Sequence, residues 1–427
     1  MKTQDRRRFL LHVFGGMTAA AMAPAAYPSP RPRIGTIPPL GPRSTDDEAF
    51  WQLVKEQFPL RPDLILMNAA NLCPSPYSVS ETVTRLTRDV DADASFQNRS
   101  KFGKLRGAAR RGLARFVGAD ADEIAITRNT SEGNNTVISG LALGAGDEVV
   151  IWDQNHPTNN VAWDVRAARY GFEVTRVSTP ALPDSEESLV SPFRQAVGPR
   201  TKVLAFSHVS NISGVRLPAK ALCGLGREHN VVTLVDGAQS FGAIRVNLHE
   251  MGCDFYTGST HKWFLGPKET GLLFVRRENI ARLWPNNVGV GWQSAVEHGA
   301  RKFDNLGQRD DAAVSAIGAT LTFHDAIGAD RIEARVLELA AAVKSKLQAN
   351  IPELRFHTPR EPELSAGVVV FSVPGANARE LFDTLYTQHN IGCAAMGGDF
   401  TGIRLSPHIY NTMQQVDRVV AAISDHV

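Results

Sequence analysis

Lys262 lies in the stretch Tyr256-Thr-Gly-Ser-Thr-His-Lys-Trp-Phe264, a polar turn directly after an apolar segment. A lysine amine attacks an aldehyde only when unprotonated, so a catalytic lysine needs neighbours that lower its pKa and a rigid element to aim it. Ser259 and His261 offer hydrogen-bonding groups beside it, and Gly258 and Gly266 let the backbone turn. A solvated surface lysine would look the same in isolation. The rest of the chain supplies the other parts of a site.

Four further polar stretches each follow a short apolar run. Arg128-Asn-Thr-Ser-Glu-Gly-Asn-Asn-Thr136 opens a helix with hydroxyls and a glycine. Its first N–H groups are unsatisfied and positively polarised, which suits a phosphate, and Thr130 and Ser131 add side-chain donors. The same residues equally make a plain helix cap with Glu132 in the first turn. Val235-Asp-Gly-Ala-Gln239 puts Asp236 at a strand end, where a carboxylate holds a pyridine nitrogen protonated or caps the chain; Gln239 is placed to bond Lys262 or a ring hydroxyl. Ser207-His-Val-Ser-Asn-Ile-Ser-Gly214 supplies Asn211, whose amide suits a phenolic oxygen. Asp153-Gln-Asn-His-Pro-Thr-Asn-Asn-Val-Ala-Trp163 supplies His156, which either stacks on a ring or serves the structure as most lone histidines do. An amine for an aldehyde, a carboxylate for a pyridine nitrogen and a seat for a phosphate are the needs of pyridoxal 5'-phosphate, whose protonated ring acts as an electron sink.

The elements that must position these groups alternate apolar runs with helix-length segments: Ile124–Thr127, Val149–Trp152, Val174–Val177, Val203–Phe206, Val231–Val235, Phe255-Tyr256 and Leu272–Val275. Such alternation predicts an α/β fold with a mainly parallel sheet covered on both faces and ligands beyond the strand C-terminal ends. After residue 300 the pattern becomes two long helices (Ala312 to Ile327, Asp330 to Ala349), a strand over 367–372, a helix from Asn377 to Gln388, a strand around Arg404 and a last helix from Met413, a smaller α+β domain. The division expected is a leader over 1–26, a proline-rich linker over 27–45, an N-terminal arm over 46–70, a large domain over 71–300 and a small domain over 301–427.

The order of these motifs resembles the class V aminotransferase family, fold type I pyridoxal phosphate enzymes that include cysteine desulfurases and isopenicillin N epimerase. The residues that carry the resemblance are Thr130-Ser-Glu132, His156 with Asn160 and Trp163, His208-Val-Ser-Asn211, Asp236-Gly-Ala-Gln239, Ser259-Thr-His-Lys262, Gly307-Gln-Arg-Asp310 and Arg404 with Tyr410-Asn-Thr412. The resemblance implies a fold type I architecture with a seven-stranded sheet and Lys262 as the Schiff-base lysine. It implies His156 stacked on the cofactor ring, Asn211 and Gln239 at the ring oxygen, and Asp236 at its nitrogen. Thr130, Ser131, Ser259 and His261 would hold the phosphate, and Arg404 would clamp the carboxylate of an amino acid substrate. It further implies a homodimer in which the neighbouring subunit reaches the phosphate from near Gln308, a glutamine where a threonine is more usual.

The cofactor site alone does not choose a reaction, because Lys262 would take the Cα proton in each. The loop Ala394-Ala-Met-Gly-Gly-Asp-Phe-Thr-Gly402 carries no thiol, and Cys393 falls at a strand position, which argues against sulfur transfer. Gly307-Gln-Arg-Asp310 and the ending Ser406-Pro-His-Ile-Tyr-Asn-Thr412 look most like the isopenicillin N epimerase branch, so epimerisation or transamination of an amino acid or modified peptide is expected. Elimination by a C–S lyase is the alternative within the same chemistry, and a non-catalytic cofactor-binding module is the alternative outside it. No G-x-G-x-x-G follows the first strand, which disfavours a dinucleotide site.

Composition sets the remaining bounds. The 427 residues are 43% hydrophobic and 21% charged, enough for a large core, and a net charge of +2 gives no field for nucleic acid. The four cysteines are widely spaced, with neither a metal-binding nor a disulfide pattern. Asp5-Arg-Arg-Arg-Phe-Leu-Leu11 and the apolar run to Ala26 resemble a twin-arginine export signal, which implies the twin-arginine machinery as a partner and a periplasmic or extracellular destination. Removing residues 1–26 takes away four basic residues and one acidic one and leaves 42 basic against 43 acidic. No later apolar run is long enough to span a bilayer.

Overall fold

The computed structural model describes residues 48–427, so the expected export signal, the linker and the first two residues of the arm lie outside the described residues. Seven strands form the central sheet: β2 (Ile124–Thr127), β3 (Glu148–Trp152), β4 (Glu173–Val177), β5 (Thr201–Ser207), β6 (Val232–Asp236), β7 (Phe255–Ser259) and β8 (Gly271–Val275). Their order is β2-β8-β7-β6-β5-β3-β4, and only β8 runs antiparallel to its neighbours. The expected mainly parallel seven-stranded sheet is therefore present.

Successive residues of these strands feed opposite faces, as a pleated sheet buried on both sides demands. Val150, Trp152, Leu204, Phe206 and Val235 enter one apolar cluster. Val149, Ile151, Val203, Ala205 and Leu234 enter another, together with Trp163. The register aligns Ser207 with Asp236 and Asp236 with Thr257, so β5 and β6 end side by side while β7 runs two residues further, to Ser259. Neighbouring strands lie about 4.8 Å apart, and groups at adjacent ends are thereby collected into one small volume.

A second, four-stranded sheet is antiparallel, with order β12 (Ala394–Met396), β13 (Gly402–Leu405), β10 (Val369–Ser372) and β9 (Arg355–Phe356). Its own core takes Val369, Phe371, Leu339, Val343, Val416 and Val419. The N-terminal arm joins this core: β1 (Ile65–Leu66) pairs in parallel with β11 (Ile391–Gly392). Of the two long helices after residue 300, Asp311–Ile327 gives Val314 and Ile317 to the large-sheet core, while Ala329–Asn350 packs in the small one. The change of core thus falls at Gly328, between those two helices. Among the described residues no helix is long and apolar enough to cross a membrane.

Candidate active site

Asp236 ends β6, and its buried carboxylate is fixed from two sides. Oδ1 accepts the Ala238 N–H at 3.0 Å, and Oδ2 accepts from Asn134 Nδ2 at 2.8 Å. Asn134 accepts in turn from Thr257 Oγ1 at 2.7 Å. Gly237 is needed for the turn that follows, since a Cβ there would lie 2.0 Å from the Tyr256 ring. A carboxylate fixed in this way by two neutral donors is suited to face a protonated ring nitrogen.

Asn134 belongs to α1 (Thr130–Gly140), whose first turn is the expected phosphate seat. The cap of this helix is Asn129, whose Oδ1 accepts the Glu132 N–H at 2.9 Å. Thr130 and Ser131 are consequently released from capping. Ser259, at the end of β7, accepts the Thr130 N–H at 2.9 Å and exchanges a hydrogen bond with Thr130 Oγ1 at 2.8 Å. Ser131 is exposed, and its hydroxyl has no partner among the described residues. These hydroxyls at a helix N-terminus fit an incoming phosphate.

Three residues beyond Ser259, Lys262 is largely withdrawn from water. Burial holds its pKa below the ordinary lysine range; Asp236 works against the shift and Arg404 adds to it. Those two residues are therefore its electrostatic neighbours. His261 beside it is pushed down to about 4, by burial first and then by Lys262 and Lys268, and its Nδ1 is buried without a partner. His156 caps α2 (Pro157–Tyr170), with Nδ1 accepting the Thr158 N–H at 3.2 Å. Burial, and then the field of Lys262, lowers its pKa, so the ring is neutral. Asn155 clamps this loop onto β5 by accepting from Ser207 N at 2.6 Å and donating to the Ala205 carbonyl at 3.2 Å.

Arg404 comes to the same cleft from β13 of the small sheet. Nη1 donates to the Asn211 carbonyl at 3.0 Å and Nη2 to Asn68 Oδ1 at 3.2 Å, while Nε is buried and unpartnered. Burial pulls its pKa down to about 10, and among the described residues no carboxylate pairs with it. A buried guanidinium fork without an acid is suited to a carboxylate supplied from outside.

One expected contact is arranged differently. Gln239 donates to the Ala70 carbonyl at 2.9 Å and accepts from Trp263 Nε1 at 2.7 Å, so both ends of its amide are engaged and it braces the Lys262 turn. Gln308 is exposed and accepts from Arg99 Nη2 at 2.7 Å. Asn134, Thr257 and Asn68 were not expected. Asn134 was within reach of sequence reasoning, since it stands four residues after Thr130 and hence on the same helix face. Cys393 is buried, and burial pushes its thiol up to about 12.

A two-sided, mainly parallel sheet with a lysine past one strand end, a carboxylate at the next and an arginine from a second, smaller sheet defines the fold type I architecture. The profile described as "Aminotransferase class-V" matches residues 73–419. The isopenicillin N epimerase of Streptomyces clavuligerus is 31% identical over 391 residues, covering 88% of this chain and 98% of that protein. A cysteine desulfurase of Klebsiella pneumoniae is 30% identical over 341 residues, covering 74% of this chain and 81% of its own. Among solved structures, a C-DES mutant with glycine covalently linked to its PLP cofactor superposes with a TM-score of 0.80 at 23% identity, over 87% of this chain and 99% of that one. The chain belongs to the class V aminotransferase family.

Proposed function

We propose that the chain is a pyridoxal 5'-phosphate enzyme that acts at Cα of an amino acid or modified peptide, in the manner of isopenicillin N epimerase, by epimerisation or transamination. The observation that carries this reading is the convergence of Lys262, Asp236 and Arg404: a desolvated amine, a buried carboxylate and a buried guanidinium with no acid of its own.

When bound, the cofactor supplies an electron sink for the pair left behind as a Cα bond breaks. The chain supplies the rest. Lys262 would hold the cofactor and take the Cα proton at Nζ, a task that its burial favours by lowering the pKa of the amine. Asp236 holds the proton on the ring nitrogen, with Asn134 and Ala238 N–H fixing the carboxylate. Thr130, Ser131, Ser259 and His261 would hold the phosphate, and His156 and the side-chain amide of Asn211 would hold the ring. Arg404 orients the substrate carboxylate. The buried thiol of Cys393 is unsuited to carry sulfur, which disfavours a desulfurase.

The working unit in this reading is a homodimer, with Gln308 on the exposed loop that serves the neighbouring copy, and the protein is exported by its twin-arginine-like N-terminus. Incubation of the loaded enzyme with amino acids in D2O, following Cα exchange, inversion, oxo acid and sulfide together, tests the reaction. Exchange with inversion or oxo-acid formation supports the proposal. Sulfide as the sole product overturns it.

A further inference from the structure

Lys262 sits on a turn whose backbone carbonyls are held by distant parts of the chain. Trp263 O accepts from His408 Nε2 at 2.8 Å, and Phe264 O accepts from His324 Nε2 at 2.9 Å. Two further carbonyls are held from one short stretch: Cys73 N donates to His261 O at 2.9 Å, and Ser75 Oγ donates to Gly266 O at 2.8 Å. The same stretch runs back to the arginine proposed as the substrate clamp. Ala69 N and Ala70 N donate to the carbonyl and the hydroxyl of Ser406, at 3.0 and 3.1 Å, and Asn68 Oδ1 accepts from Arg404 Nη2 at 3.2 Å. Residues 68–75 are thus a strap with one end on Arg404 and the other on the Lys262 turn. A short chain pinned at both ends sets where the amine stands relative to the guanidinium.

Lys268 fastens the second end. Its Nζ donates to the Cys73 carbonyl at 2.9 Å and to Ser75 Oγ at 3.1 Å, so it grips both of the residues that hold the turn. Among the described residues it has no carboxylate partner. An ammonium bound by two neutral oxygens loses hydration without gaining a counter-charge, and desolvation holds its pKa below the ordinary lysine range. What it gains is a pair of charge-assisted bonds, about twice as strong as neutral ones.

We propose that Lys268 is a positioning residue for Lys262: by holding Cys73 and Ser75 it fixes the strap to the turn and so fixes the direction of the amine. This rests on the reading of Lys262 as the Schiff-base lysine.

Hydrogen exchange and steady-state kinetics of the cofactor-loaded protein test it together. In Lys268→Met the Cys73 amide, read in peptides spanning 69–76, should exchange about tenfold faster or more, while the amides of β5 and β6 keep the parent's rates. With the active amino acid kcat should fall about tenfold or more and KM should stay within about twofold, because Arg404 keeps its partners. Lys268→Arg, which retains the charge and two donors, should restore most of both losses. Unchanged exchange at Cys73 overturns the proposal, as does faster exchange at unchanged kcat. Exchange that rises equally in β5 and β6 would make Lys268 merely structural and also overturns it. Borohydride treatment of the parent keeps the two readings apart: without reduced cofactor on Lys262 the Schiff-base assignment itself fails, whereas with it, an unaltered Lys268→Met contradicts the positioning role alone.

Discussion

Asn134 donates to Asp236 Oδ2 at 2.8 Å while its own carbonyl oxygen accepts from Thr257 Oγ1 at 2.7 Å. A single amide thus ties the helix that opens the phosphate seat to two neighbouring strands. The carboxylate cannot turn without breaking a buried bond.

Replacing Asn134 therefore has a specific consequence. Asn134→Ala leaves a buried carboxylate oxygen without its donor, at a cost of about 1–3 kcal/mol. Urea unfolding should register that loss, and retention of pyridoxal phosphate on dialysis should fall about tenfold or more. An unchanged cofactor affinity would show that Asp236 is held in place without Asn134.

Arg404 offers a second test. Arg404→Lys keeps the positive charge but loses the fork, so KM for the active amino acid should rise about ten- to hundredfold, with a smaller change in kcat. A fall in kcat at unchanged KM would move Arg404 from substrate binding to the chemical step.

Buried neutral histidines set the response to acid. His324 is pushed down to about 4 and His408 to about 3, chiefly by burial, and both rings bond backbone carbonyls. The folded value lies below the unfolded one of about 6.5, so the unfolded state binds more protons as the pH falls. Their contribution is complete above about pH 6.5 and is lost progressively down to the folded values, at about 1.4 kcal/mol per pH unit for each ring. Denaturation midpoints should accordingly drop from pH 7 to pH 5, and the drop should be smaller in His324→Gln. A flat profile would contradict the burial of neutral rings.

Cys393 should be dispensable. Its thiol is buried and shifted to about 12, so Cys393→Ser should leave turnover within about twofold of the parent. Sulfide release that disappears in this variant would instead establish a desulfurase.

Much of this arrangement was legible in the sequence because strand ends announce themselves. The runs before Asp153, His208, Asp236 and Lys262 are apolar on both faces, and each stops abruptly at polar residues. The direction of side chains was less legible. Gln239 stands three residues after Asp236, yet its amide turns to Ala70 and Trp263, partners 169 and 24 residues away. Helix Asp311–Ile327 follows the large sheet in sequence and also packs with it, a sharing of cores that composition does not reveal. Asn68, which fixes Arg404 from a distance of 336 residues, gave no local sign at all.

The most direct measurement is the visible absorption of the purified, cofactor-loaded protein before and after sodium borohydride, in the parent and in Lys262→Ala. The account predicts a Schiff-base band in the parent that borohydride abolishes, with the cofactor left covalently on Lys262 in a peptide map, and no such band in the variant. A normal band in Lys262→Ala, or reduced cofactor mapped to another lysine, would contradict it.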